Sequence, residues 1–318
     1  MNMSTSPIAI VIPVYNRENL VKATLASVAA QSFRPLHVVV VDNGSTDNTR
    51  PVISEWAEQN STTDFEITIL YEPVHSASAA RNCGFQAVKS PYVMFFDSDD
   101  VMLPDHVERA MTAFVDDTTL DIVGWDISYR FADGRVRRLP FADCDMLFRH
   151  LFNSILSTQR YAMRSELLRR AGGWNPGLKV LNDYELGVRL LMLRPKAKRL
   201  DGEITVMTAV SPDSLTRPRI SDNVAMCEQS LDCCAATLRR NGIGTEAIEL
   251  RRTVLAAICS HEGAPRGKQL QREVLNRQPS LLTRIALRAA YHYTRLGGRG
   301  VHYLFRGWFT RHFQAPQP

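Results

Sequence analysis

The chain has 318 residues, 45% of them apolar and 22% charged, the composition of an ordinary globular protein with apolar material for one large or two modest domains. The six cysteines hold no C-x-x-C pair and no regular spacing, which excludes a zinc ribbon and a disulfide scaffold. No stretch reaches the roughly 18 uninterrupted apolar residues of a membrane span, and the opening MNMSTSPIAIVIPVYN lacks the basic start of an export signal, so a cytoplasmic location is expected.

The elements follow in chain order. Ile8 to Val14, Leu36 to Val41, Phe65 to Leu70 and Tyr92 to Phe96 are short runs rich in Val, Ile and Phe, the pattern of strands buried on both faces of a parallel sheet. Helical periodicity alternates with them: Val21, Leu25 and Val28 recur at spacings of four and three after Asn16, a candidate N-cap, and a second helix is predicted after Ser45 or Thr46. This βαβαβαβ order predicts an open α/β sheet with ligands at the carboxyl ends of its strands. Farther on, ISYRFADGRVRRL reads as a hairpin turning at Asp133 and Gly134, and GGWNPG, Gly172 to Gly177, as a loop. A helix is predicted from near Asn182 to before Pro195. From Ser221 the chain reads as helices broken at NGIG, GAPRG and LGGRG.

The chemistry lies in SPYVMFFDSDDVMLP, Ser90 to Pro104, where an apolar run is followed within four residues by Asp97, Asp99 and Asp100. On an extended segment residues i and i+2 share a side, so Asp97 and Asp99 are expected to form a pincer. Hard carboxylate oxygens suit Mg²⁺ or Mn²⁺, but two of them cannot close a metal's coordination shell, so ligand phosphates are expected to supply the rest. The same aspartates also suit turn formation and a helix N-cap. A second acid, Asp42, ends the buried run in VVVVDNGSTDNT, and two parallel strands ending in carboxylates on one rim favour a site.

Four segments, VIPVYNRENLVKATLASVAAQS, VVVVDNGSTDNT, SASAARNCGFQAVKSPYVMFFDSDDVMLP and GGWNPGLKVLNDYELGVRLL, occur in an order that resembles family 2 of the inverting glycosyltransferases. The resemblance runs from about Ile8 to Leu191. It implies the GT-A fold: a Rossmann-like open mixed α/β sheet flanked by helices, with a helical appendage at the C-terminus. Residues 1–102 then form the donor-binding half, 103–220 the acceptor-binding half that also carries the base, and 221–318 a basic helical region. By the resemblance, Pro13, Tyr15 and Asn16 line the nucleotide pocket, Asp42 accepts from the base (uracil in a UDP-sugar), Arg81 lies beside the nucleotide, Asp97 and Ser98 hold the ribose side, and Asp99 holds Mn²⁺ or Mg²⁺. Asp100 is expected to orient the loop.

Asp183 matches the family's catalytic base, which would take the proton of the acceptor hydroxyl; Asn182 stands where relatives often carry Glu. Both residues also suit helix capping, and a helix N-terminus is expected to hold Asp183 at a low pKa. Trp174 is a candidate platform for the acceptor sugar or a core side chain. Where many relatives carry a His, this chain has Ala209 and no His nearby, leaving Asp213 as a weak substitute metal ligand.

The net charge of +5 is unevenly placed: from Arg266 onward there are ten Lys or Arg and one acid, Glu273, against 28 basic and 32 acidic residues before it. Arg284, Arg288 and Arg295, at helical spacing among aromatics, are expected either to meet an anionic membrane surface or to form a solvated face. No binding motif supports nucleic acid. The reading that unites these features is a metal-dependent transferase moving a single sugar from a nucleotide diphosphate to a glycan or lipid-linked glycan in surface polysaccharide biosynthesis. A catalytically silent scaffold of the same fold is the alternative; a nucleotidyltransferase fits less well, because VIPVYNREN has no glycine-rich phosphate loop.

Overall fold

The computed structural model describes residues 7–130, 134–209 and 219–304. The chain forms two compact units, Met1–Met146 with Ile155–Ser211, and Leu147–Ser154 with Pro212–Pro318.

The first unit begins with β1 (Ile8–Val14), α1 (Val21–Ala29), β2 (Leu36–Asp42), α2 (Thr49–Asn60), β3 (Phe65–Tyr71), α3 (Ala77–Ala87) and β4 (Tyr92–Phe95). These four strands are parallel, with Val14 opposite Asp42 and Val11 opposite Phe95. Every residue of β2, and all of β1 except Pro13, is buried, which is why both read as unbroken apolar runs. Ile10, Ile12, Val38 and Val40 pack in a core with Val21, Leu25 and Val28 of α1. On the other face α3 approaches closely because residue 84 is glycine: a Cβ there would stand 2.5 Å from Val11 Cγ1 and 2.9 Å from Val41 Cγ2.

The chain continues through β5 (Asp100–Met102), α4 (His106–Asp116), β6 (Ile122–Gly124), β7 (Ile127–Arg130), β8 (Val136–Leu139), α5 (Met146–Asn153), a 3₁₀ turn Thr158–Arg160, β9 (Tyr161–Arg164), α6 (Ser165–Ala171), α7 (Asn182–Met192), β10 (Ala197–Arg199) and β11 (Val206–Ala209). One seven-stranded sheet has the order β10-β6-β9-β4-β1-β2-β3, mixed because β9 runs antiparallel to β4 and β6. A second sheet has the order β5-β11-β7-β8.

Several expectations are corrected in detail. Asn16 does not cap α1, which starts five residues later without a side-chain cap. It sits in the left-handed region at φ 49°, with its Oδ1 accepting from Thr46 N at 2.8 Å. Helix α2 starts at Thr49, whose N–H donates to Asp47 Oδ1 at 2.9 Å. Asp97 and Asp99 are not on a strand: Asp100 N donates to Asp97 O across a turn that carries the chain from the first sheet into the second. The hairpin forms between β7 and β8, with Gly134 at φ 81°; Asp133 lies outside the described residues.

Besides all of α5 but its first residue, the second unit holds a 3₁₀ turn Ile220–Asn223, α8 (Val224–Arg240), α9 (Glu246–His261), α10 (Pro265–Asn276), α11 (Leu281–Arg295) and α12 (Val301–Leu304). GAPRG breaks the chain only at its first two residues. Pro265 opens α10, where its missing N–H costs nothing, and Gly267 lies inside the helix against α9, where a Cβ would meet Ser260 Oγ at 2.4 Å and Ala256 O at 2.6 Å. A further break, between Asn276 and Leu281, falls at RQPS. Among the described residues no helix is long and apolar enough to cross a membrane.

Candidate active site

The parallel strands deliver their carboxyl ends to one rim. Asp42 ends β2 and Asp97 follows β4, with β1 between them, so two strand spacings, about 10 Å, separate their backbones. Asp42 is buried, its Oδ1 accepting from Ser45 N at 3.0 Å. Pro13 is half-buried at the end of β1. Tyr15 is 45% exposed and meets His75 edge-on, with ring centroids 5.0 Å apart.

Asp97 is held from two sides. Arg81 NH2 donates to its Oδ1 at 2.8 Å and Gln159 Nε2 to its Oδ2 at 3.2 Å. The same Gln159 nitrogen donates to Asp100 Oδ2 at 2.9 Å. Ser98 is buried between the acids in sequence. Asp99 titrates above the ordinary carboxylate range, because burial and then the Asp97 charge disfavour its anion, against the opposing pull of Arg17. Asp100 is wholly buried and shifted well upward by burial, Asp97 and Asp99 in that order. The Gln159 and Thr208 side chains pull the other way. The Asp97 charge raises the proton affinity of both Asp99 and Asp100, and a divalent cation would offset it. Among the described residues no three His, Cys, Asp or Glu side chains gather as a closed metal site, so the donor set suits a cation that takes further oxygens from a ligand. Asp213 lies outside the described residues.

Asp183 stands in the first turn of α7, its Oδ1 accepting from Tyr184 N at 2.7 Å. Burial raises its pKa and Asp97 adds to the rise, while the Tyr184 N–H and Arg81 oppose it. This corrects the expectation of a low value: desolvation outweighs the helix N-terminus. Arg81 and Asp97 thus lie within electrostatic reach of Asp183, and Asp97 within reach of Asp99.

Trp174 offers no face to a sugar. It is 1% exposed, with the Arg81 guanidinium 4.5 Å from its ring centroid and Phe95 edge-on at 5.2 Å. Asn82 clamps its backbone, donating to Trp174 O at 2.8 Å and accepting from Trp174 N at 2.9 Å. The stacked, ion-paired Arg81 is itself only 6% exposed and belongs to the site from beneath Asp97.

The second sheet adds residues that pattern reading missed. Across it Asp100 pairs Thr208, Thr208 pairs Tyr129 and Tyr129 pairs Arg137, so these four share one face in a row. The Tyr129 hydroxyl is pushed up to about 12 by burial and by Asp100, Asp97 and Asp183. Arg160, 2% exposed, is lowered to about 10 by burial despite Tyr129, Asp126 and Asp183. The available signal was the polar TQR immediately before the apolar YAM of β9: polar side chains leading into a buried strand need internal partners.

A family model for glycosyl transferase family 2 matches residues 9–170, just over half of the chain. Glycosyltransferase GlyA of Streptococcus pneumoniae is 33% identical over 127 residues, which are 40% of this chain and 18% of GlyA. The uncharacterized glycosyltransferase RP339 of Rickettsia prowazekii is 22% identical over 229 residues, 69% of each chain. Staphylococcus aureus TarS 1-349 superposes with a TM-score of 0.60 at 16% identity, over 95% of this chain and 91% of that one. Mannosyltransferase PcManGT of Pyrobaculum calidifontis gives 0.57 at 20% identity, over 97% and 84%. With a mixed sheet that carries its acids on the carboxyl rim and a family match across that rim, the chain belongs to glycosyl transferase family 2 and has the GT-A fold.

Proposed function

We propose that the chain is an inverting glycosyltransferase that moves one sugar from a nucleoside diphosphate donor, a UDP-sugar, to a hydroxyl of a glycan or lipid-linked glycan in surface polysaccharide biosynthesis. The observation that carries this reading is Asp97, which Arg81 grips and whose charge reaches both Asp99 and Asp183. TarS has been solved with UDP and with UDP-GlcNAc, and PcManGT with GDP-Man and Mn²⁺, which supports the donor class.

In this reading Pro13, Tyr15 and Asn16 border the nucleoside, Asp42 accepts from the base, and Asp97 with Ser98 meets the ribose. Arg81 serves the donor through Asp97, holding that carboxylate in place. Asp99 is the protein's ligand for Mn²⁺ or Mg²⁺, as the family resemblance implies. Such a cation, when bound, neutralises negative charge on the departing diphosphate. Asp183 takes the proton of the acceptor hydroxyl as its oxygen bonds to the anomeric carbon. The anomeric bond to the diphosphate breaks on the opposite side, and its electron pair leaves with the nucleoside diphosphate. A raised pKa suits this role, because proton transfer is favoured when the base's pKa approaches the working pH.

The test is a matrix of melting curves with UDP, GDP and ADP, each with and without Mn²⁺, followed by nucleoside diphosphate release from a panel of sugar donors. Ligands that bind only the folded state raise the melting temperature. The expected result is a shift with UDP and Mn²⁺ together larger than the sum of their separate shifts. A shift indifferent to metal overturns the role of Asp99; no shift and no release with any donor favours the silent scaffold.

A further inference from the structure

The outer face of α11 reverses the usual distribution of side chains. At about 100° per residue, its exposed residues fall within an arc of about 160°, most of them apolar, with His292 among them. Leu281 is 68% exposed, Leu282 78%, Ile285 53% and Leu296, one residue past the helix, 87%. Tyr293 closes one edge of the arc; the exposed Arg288 and Arg295 line the other. The opposite face is satisfied, with Leu287, Ala290 and Tyr291 buried and Tyr291 OH donating to Ser260 Oγ at 2.7 Å. Four large aliphatic side chains on one solvent face are more than scattered surface residues explain.

A second feature adjoins this face. A cavity of about 370 Å³ is lined by Ser260, His261, His292, Arg295 and Leu296, three of which belong to the exposed arc of α11 or its end. His261 Nδ1 donates to Arg295 O at 2.9 Å, tying the end of α9 to the end of α11. The cavity offers a guanidinium, two imidazoles and a hydroxyl and, among the described residues, no carboxylate.

We infer that α11 is an interfacial helix: Leu281, Leu282, Ile285 and Leu296 enter the acyl boundary of an anionic bilayer, while Arg288 and Arg295 meet lipid phosphates, one headgroup seating in the His261–His292–Arg295 cavity. The pattern is that of helices that lie in the plane of the interface, with an apolar face and basic residues at its edge. A second copy of the chain fits less well, because an isologous contact brings this face, arginines included, against itself. After Glu273 the sequence carries no acid to pair them. Nucleic acid does not fit the exposed leucines. The inference is independent of the transfer chemistry.

The full chain is sedimented with vesicles of phosphatidylcholine alone and of phosphatidylcholine with roughly a third phosphatidylglycerol. Binding is expected only to the anionic vesicles. Arg288→Glu with Arg295→Glu should weaken it by more than about five-fold per site, the loss expected for each arginine merely removed. Leu282→Glu with Ile285→Glu should abolish it, and unchanged melting curves will show that both variants fold. Equal binding to neutral vesicles, or none to anionic ones, overturns the inference. So does self-association without lipid that the leucine variant abolishes, which would make the face a contact between copies. Inorganic phosphate that raises the melting temperature of the wild type but not of Arg295→Glu, with no vesicle binding, would make the cavity a small-anion site instead.

Discussion

Asp183, Asp99 and Asp100 all hold protons more tightly than ordinary carboxylates, and burial is the first cause in each case. Asp183 has to be ionised to accept the acceptor's proton, so kcat/KM should fall on the acid side at a pH above the ordinary carboxylate value of about 4. Asp183→Asn should lower transfer by about a hundred- to ten-thousand-fold while leaving the protection by UDP and Mn²⁺ intact; lost protection would make Asp183 structural. Asp100 gives a stability prediction with a definite sign. Its folded pKa exceeds its unfolded value, so the folded state binds the extra proton: stability is fully present below about pH 4 and declines as pH rises through the folded pKa. Asp100→Asn keeps an oxygen for the Gln159 N–H and removes the buried charge. In metal-free buffer at pH 7 it should therefore melt higher than the wild type, and the gap should close on acidification. A lower melting temperature at pH 7 would mean that the ionised Asp100 is compensated.

At the scale of elements, close approach decides two packings. Helix α3 lies on β1 and β2 only because Gly84 leaves room, and the atoms a methyl group would meet are Cγ carbons of Val11 and Val41 in the centre of the sheet. Gly84→Ala should cost about 1–3 kcal/mol by overpacking, partly offset by better helix propensity, with a lower denaturant midpoint as the readout. Because α3 also carries Arg81, the same substitution should weaken UDP binding, whereas Gly134→Ala, where no described atom stands within 4 Å of a Cβ and the cost is local strain at φ 81°, should leave it unchanged. The turn from Asp97 to Asp100 is the other decisive element. It moves the chain from one sheet to the other, bringing the aspartates within electrostatic reach of Tyr129 on β7.

At the scale of the whole molecule, the two units carry different chemistry. The first holds the acids and the sheet rim, the second the basic helices and the exposed leucines of α11. Hydrogen exchange should separate them: UDP with Mn²⁺ is expected to slow exchange after β1, β2 and β4, whereas anionic vesicles are expected to slow it along α11. Nucleotide protection confined to the second unit would overturn the placement of the donor.

The sequence by itself determined the strands, because residues buried on both faces must be apolar throughout: Ile8–Val14 was legible to the residue, and Leu36–Asp42 and Phe65–Tyr71 to within one. Asp42, Asp97 and Asp99 stood out in it as carboxylates that end or follow buried segments, whereas Asp183 came from the family resemblance alone. Only the tertiary structure decided how these groups behave. The alternation argument failed at Asp97 because a turn, not a strand, follows β4. The low pKa expected of Asp183 failed because burial depends on neighbours remote in sequence. Trp174 was committed to the core by Arg81 and Phe95, and the solvent face of α11 became apolar through the choice of which side packs on α9. Each of these outcomes turns on which distant atoms exclude water from a given side chain, and periodicity along one chain carries no record of that.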